Sequence, residues 1–192
     1  MVSRGAGRSA VAAAAYLSCS RMLNEYDGVQ HDYTRKQGLG WRQVFLPATA
    51  PAEWQDREIL WNAVEETETA KDSRLAREFV AALPIELSQE EQIQLLQDFI
   101  KEQFVADGMC ADAAIHDPYP PGHNPHAHIL LTIRPLKENG EWSAKCRKAY
   151  DLDERGQRIP DGKGGWKNHR EDTTDWNDKG KAEAWRDRKS VV

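Results

Sequence analysis

Two histidines stand two residues apart in the stretch His123-Asn124-Pro125-His126-Ala127-His128-Ile129-Leu130-Leu131-Thr132-Ile133-Arg134. A loop rich in Pro and Gly, Asp117 to Pro125, leads into them, and an apolar run follows. Side chains alternate faces along a strand. His126, His128 and Leu130 therefore share one face, and Ala127, Ile129 and Leu131 the other. Two imidazoles about one pleat repeat apart, roughly 7 Å, can converge on one metal ion. His116 closes the preceding apolar run Ala113-Ala114-Ile115, and a hairpin between the runs would bring it beside the pair. Three neutral imidazoles with open coordination positions make a catalytic type of metal site rather than a closed structural one. A His-x-His pair alone is more often a pair of buried structural histidines; the third imidazole argues for the metal. His123 reads as a loop residue, and His31 and His169 as solvent-exposed.

The elements that must position these residues follow from the pattern around them. Ser9 can cap a helix over Ala10 to Met22, since Ala12 to Ala15 have the highest helix propensity and Tyr16 lies near its middle. Asn24 to Gly40 reads as a loop, with turn signals at Asp27-Gly28 and Gly38-Leu39-Gly40. Val44-Phe45-Leu46 predicts a small strand ended by Pro47. Ala52 to Thr69 carries Trp54, Leu60, Trp61 and Val64 at the spacing of an amphipathic helix. Leu75 to Leu83, closed by Pro84, predicts a buried strand. Ser88 with Glu91 forms a capping box for a helix over Gln89 to Phe104, whose core stripe is Ile93, Leu96, Ile100 and Phe104. Cys110 to His116 and His126 to Pro135 are the two histidine-bearing strands. A last helix begins near Asp178.

Composition narrows the class. The 192 residues suit one domain, with 40% hydrophobic and 30% charged residues. No apolar run is long enough for a membrane span, and the short patch Ala10 to Tyr16 is no signal peptide. Three widely spaced cysteines, Cys19, Cys110 and Cys146, fit reduced thiols in the cytoplasm. The net charge of −5 does not favour nucleic acid by itself. The local distribution does. Residues 1–8 form a basic lead-in with Arg4 and Arg8. Residues 136–192 are polar, flexible or DNA-contacting, with Lys145, Arg147, Lys148 and Lys167 interleaved with Trp142, Tyr150 and Trp166. Basic residues mixed with aromatics suit single-stranded nucleic acid, whose phosphates need neutralising and whose bases stack. The chain stops in or just after its last helix, which suggests a fragment of a longer protein.

Three ordered motifs resemble the MobA/MobL family of plasmid relaxases, within the HUH endonucleases, which includes the relaxase portion of TraA-type proteins. The histidine motif is Ala114-Ile115-His116 with His123 to Thr132. Gly7-Arg8-Ser9-Ala10-Val11-Ala12-Ala13-Ala14-Ala15-Tyr16 is similar to the family's tyrosine motif. Leu75 to Leu87, containing Glu78, is similar to its middle motif. Asp172 to Trp176 and Ala184-Trp185-Arg186 fit as well.

The resemblance implies an α+β domain with a central, mainly antiparallel sheet and flanking helices. It implies an enzyme that nicks and rejoins one DNA strand at a plasmid transfer origin through a covalent phosphotyrosine. Carried onto this chain, Tyr16 is the nucleophile, and His116, His126 and His128 hold a divalent cation, Mg²⁺ or Mn²⁺. Glu78 takes a supporting acid/base role. The implied partners are single-stranded DNA, accessory relaxosome proteins and a coupling protein. Without the resemblance Tyr16 is an ordinary aromatic on an Ala-rich helix, and Tyr26 and Tyr33 are rival nucleophiles. The alternatives are a non-catalytic origin-binding module, a related replication initiator or transposase, and a metal-dependent hydrolase of small molecules. Relatives begin with a short strand before the tyrosine helix. No strand-like run precedes Ser9, so either the sequence starts short of that strand or the strand is absent.

Overall fold

The computed structural model describes residues 1–117 and 124–189. His123 lies outside the described residues. In chain order the elements are β1 (Val2–Ser3), α1 (Ala10–Ser18), β2 (Arg21–Asn24), β3 (Val29–Asp32), β4 (Leu39–Phe45), α2 (Arg57–Thr67), β5 (Arg74–Ala82), α3 (Gln89–Ile100), β6 (Ala111–His116), β7 (His126–Thr132), β8 (Cys146–Tyr150), β9 (Asn168–Asp172) and α4 (Lys179–Lys189). Five strands form one sheet in the order β1-β5-β7-β6-β4, every neighbouring pair antiparallel. The architecture is α+β, as the resemblance implies.

Both faces of the sheet are covered. Because residues directly opposite in an antiparallel pair point the same way, the register Val80↔His128↔Ala114 and Glu78↔Leu130↔Asp112 defines one face. There α1 and α2 bury Ala10, Val11, Ala14, Leu60, Trp61 and Val64 against Ala76, Ala114 and Leu130. The other face, with Ala113, Ile115, Ala127, Ile129 and Leu131, is covered by Leu96 and Ile100 of α3 and by Trp185 of α4. β6 and β7 are sandwiched between the layers, which explains why both read as near-continuous apolar runs rather than as alternating strands.

Capping fixes where the helices begin. Ser9 Oγ accepts from Ala12 N at 3.1 Å, and the capping box of Ser88 and Glu91 opens α3. Glu65, buried in α2, accepts from Ala10 N at 2.6 Å and from the Arg4 guanidinium at 2.7 Å, placing a negative charge at the positive end of α1.

Several expectations are corrected. The N-terminal strand is present: Val2 is fully buried and pairs with Ala76 of β5. Two residues are too few to show a period, so no pattern in the residue types announces it. α1 ends at Ser18 rather than Met22, because Cys19 adopts a left-handed conformation (φ 50°) that terminates the helix. The chain then enters an antiparallel hairpin, β2–β3, in place of the expected loop. The Asp27-Gly28 turn lies at its tip, with Gly28 at φ 70°. Residues 146–172 make a second, separate two-stranded ribbon, β8–β9. Among the described residues no helix is long and apolar enough to cross a membrane.

Candidate metal and nucleophile site

The antiparallel pairing expected to bring His116 beside the other two histidines is observed. His116 lies directly opposite His126, and His128 sits one pleat further along the same face. Ring centroids are separated by 5.8 Å for His116–His126, 4.9 Å for His116–His128 and 5.0 Å for His126–His128. One nitrogen from each ring lies within 4.8 Å of the others, close enough for small ring rotations to bring all three onto one ion.

Hydrogen bonds assign two of the tautomers. His116 Nε2 is 2.7 Å from the Leu17 carbonyl, which can only accept, so Nε2 carries the proton and Nδ1 the lone pair. His126 Nδ1 donates to the Asn124 carbonyl at 2.9 Å, leaving its Nε2 to offer. Such backbone acceptors behind imidazoles are the usual orienting partners of histidine ligands. Burial, then the neighbouring His116, His126 and Lys36, push the His128 imidazole down to about 4, with Glu78 opposing. Burial likewise lowers His116. Both rings are therefore neutral at pH 7, as metal ligands must be. The donor set fits a divalent cation, which would take over the His116 Nδ1 lone pair that faces Lys36 Nζ at 2.9 Å in this structure.

Tyr16 stands beside this cluster. Its ring lies 6.5 Å from the His128 ring, edge-on, and 5.3 Å from the Tyr33 ring, and the residue is 46% exposed to solvent. The last turn of α1 is tied to the site by its carbonyls, of which that of Tyr16 also accepts from Cys19 N. The Leu17 carbonyl accepts from His116, the Ser18 carbonyl from Arg42 Nη1, and the Tyr16 carbonyl from Lys36 Nζ at 3.4 Å. Cationic donors at a helix C-terminus are also favoured by the macrodipole.

Lys36 is the site residue that sequence reasoning missed. Its Nζ lies 2.9 Å from His116 Nδ1 and 3.9 Å from the centre of the Tyr16 ring. Burial lowers its ammonium below the ordinary lysine value. It sits in the loop after β3, where no period reports position; nearby, only Tyr33 had drawn notice, as a rival nucleophile.

The remaining expected residues fall into three groups. Glu78 shares the histidine face, one pleat from His128 in register, and forms a half-exposed pair with Arg8 at 2.7 Å. Arg4 is turned inward instead. Its guanidinium meets Glu65, the carbonyls of Glu65 and Glu68, and the Tyr26 ring at 3.8 Å, so its charge is committed within the fold. Lys145 is held by Glu68 at 2.7 Å, beside Arg134. Arg147 and Lys148 are exposed on β8, where Arg147 pairs with Glu171 at 2.8 Å, and Trp166 and Lys167 are exposed just before β9. The structure brings Tyr16, Glu78 and the three histidines to one region. Among the residues expected to contact DNA, it adds Arg8 there. Tyr33 is a ring contact of Tyr16, and Tyr26 lies beyond it against Arg4.

Known proteins are similar to this chain in sequence and architecture. The MobA/MobL family model matches residues 8–191. "Probable mobilization protein MobA" of Bifidobacterium longum (strain NCC 2705) is 42% identical over 161 residues, 83% of this chain and 28% of that protein. "Conjugal transfer protein TraA" of Agrobacterium fabrum is 42% identical over 170 residues, 83% of this chain and 15% of that protein. The chain thus spans under a third of the length of these relatives. A solved structure described as "Molecular Basis of Vancomycin Resistance Transfer in Staphylococcus aureus" superposes with a TM-score of 0.80 at 33% identity, covering 99% of this chain and 85% of the other. On sequence and on fold alike, the chain belongs to the MobA/MobL family.

Proposed function

We propose that this chain is the relaxase unit of a mobilisation system, cutting one strand of DNA at a plasmid transfer origin. The observation that carries the reading is Tyr16 edge-on to His128, on a helix whose last carbonyls are bound by a candidate ligand and by Lys36. In the proposed reaction the Tyr16 phenolic oxygen attacks phosphorus. The bond from phosphorus to the 3′ oxygen breaks, and a 5′ phosphotyrosine forms. The phenolic proton passes to a base, for which the Glu78 carboxylate is the candidate, and the departing 3′ oxygen gains a proton. A phenol is a poor nucleophile near neutral pH because its ordinary pKa is about 10, so positioning and proton removal both matter. His116, His126 and His128 would hold a divalent cation, Mg²⁺ or Mn²⁺, which offsets the negative charge built up on the phosphoryl oxygens. The linkage conserves the phosphodiester for rejoining.

Single-stranded DNA at the origin is the proposed substrate. Relaxosome proteins and a coupling protein are the proposed partners, and the cytoplasm the proposed compartment. A replication initiator or transposase of related chemistry carries its tyrosine after the histidines, whereas Tyr16 precedes them. The test is a single-stranded origin oligonucleotide incubated with the protein, with and without Mn²⁺. A covalent adduct with the parent chain and none with Tyr16→Phe is expected. Equal adduct from both would remove Tyr16, and no adduct from either would favour a non-catalytic binding module.

A further inference from the structure

Beside Tyr16, between the outer face of α1 and the β2–β3 hairpin, is an open hollow of about 630 Å³. That lies within the range of about 300–1,000 Å³ common for ligand sites. Ala12, Ala13 and Tyr16 line it from α1, Tyr26 and Tyr33 from the hairpin tip and the loop after the hairpin, and Arg8 and Glu78 from its charged rim. The two alanines have no bulk beyond Cβ, so a flat group can lie against the helix.

We propose that this hollow is a nucleobase subsite, taking one base of the single strand whose phosphate Tyr16 attacks. The inference rests on the reading above and deepens it. Three observations favour a base over a simple gap under the hairpin. First, Tyr26 is 51% exposed, yet its ring is held by the Arg4 guanidinium at 3.8 Å. Arg4 is in turn fixed by Glu65, which is buried. An exposed aromatic whose ring is already held on one face loses little further rotamer freedom when a base stacks on it. Second, Tyr33 contacts the Tyr16 ring edge-on at 5.3 Å, so the aromatic lining continues up to the nucleophile. A nucleotide joined to a phosphate at Tyr16 has its base within reach of that lining. Third, the rim carries Arg8, paired with Glu78 across a half-exposed contact. Exposed pairs are weakly held, and a phosphate can compete for the guanidinium at small cost.

The probe is a short oligothymidylate in which every base is 5-iodouracil, bound at low salt to the full chain and photo-crosslinked, with the attachment points mapped by mass spectrometry. Crosslinks on Tyr26 or Tyr33 are expected. Tyr26→Ala should weaken oligonucleotide binding by about tenfold, within the range that loss of one stacked base produces. Ala13→Leu should fill the hollow and remove the crosslink; Tyr26→Ala, at an exposed position, decides the matter should Ala13→Leu fail to fold. Salt-dependent binding with crosslinks confined to β8–β9, and parental affinity in Tyr26→Ala, would overturn the subsite while leaving the relaxase reading intact. Absence of any salt-dependent binding to the single strand would overturn both.

Discussion

The imidazole of His116 donates to the backbone carbonyl of Leu17 at 2.7 Å, so a candidate metal ligand and the helix turn bearing Tyr16 are joined by one hydrogen bond. His116→Ala should therefore do two things. It should abolish tight Mn²⁺ binding, read by calorimetric titration, and it should destabilise the fold by about 1–3 kcal/mol, because a buried carbonyl loses its donor. Unchanged metal affinity would count against the three-histidine site.

Tyr16→Phe separates chemistry from structure. The ring contacts with Tyr33, His128 and Lys36 are made by the aromatic ring and survive the substitution. Stability should stay within about 0.5 kcal/mol of the parent in denaturant unfolding, while adduct formation is abolished.

Arg4 and Lys148 should fail differently. The Arg4 side chain is 13% exposed and that of its partner Glu65 2%. Removing either leaves a buried charge unpaired, so Arg4→Ala should cost about 3–5 kcal/mol of stability. Lys148→Ala, on the exposed ribbon, should leave stability unchanged and lower the salt slope of single-strand binding by about 0.7 for each phosphate it ceases to neutralise. A reduced salt slope in Arg4→Ala without loss of stability would contradict the inward assignment.

The pH dependence has a defined sign. His128 is held at about 4 when folded, below its ordinary 6.5, chiefly by burial. The unfolded chain therefore binds more protons between those values, and the stabilisation is complete above 6.5 and lost as pH falls through 4. Unfolding followed from about pH 7 to pH 4 should show a decline that is smaller in His128→Asn. An identical pH profile for the two proteins would refute it.

Trp185 ties α4 to the sheet. It is 1% exposed and meets Phe79 and Phe104 edge-on at 6.2 and 5.3 Å. Trp185→Ala should cost about 3–5 kcal/mol and open the C-terminal segment to limited proteolysis.

The histidine site was legible because its information is local. A two-residue spacing on an apolar run fixes a face, and a hairpin fixes the partner at His116. The tyrosine was different: nothing in Ala10 to Tyr16 says where this helix packs, and only the family resemblance singled out Tyr16. The β2–β3 hairpin was missed because it packs on one side only, through Met22 and Asn24. Leu23 and Val29 face solvent, and Gln30 and Asp32 break any apolar alternation. Lys36 was missed because a loop's destination is decided by tertiary contacts. The dense charges of residues 136–172 suggested flexibility, yet β8 and β9 pair along five residues each, an arrangement their side chains announce poorly.

The buried face of α1 is built from Ala10, Val11, Ala14, Ala15 and Leu17, three of the five being alanines. Mostly small side chains therefore set how far the phenol of Tyr16 stands from the imidazoles. The gap is gauged by side-chain volume, and a single added methylene on that face would lift the helix like a shim. Reach at this site can thus be tuned by residues that never meet the DNA, the ion or the proton.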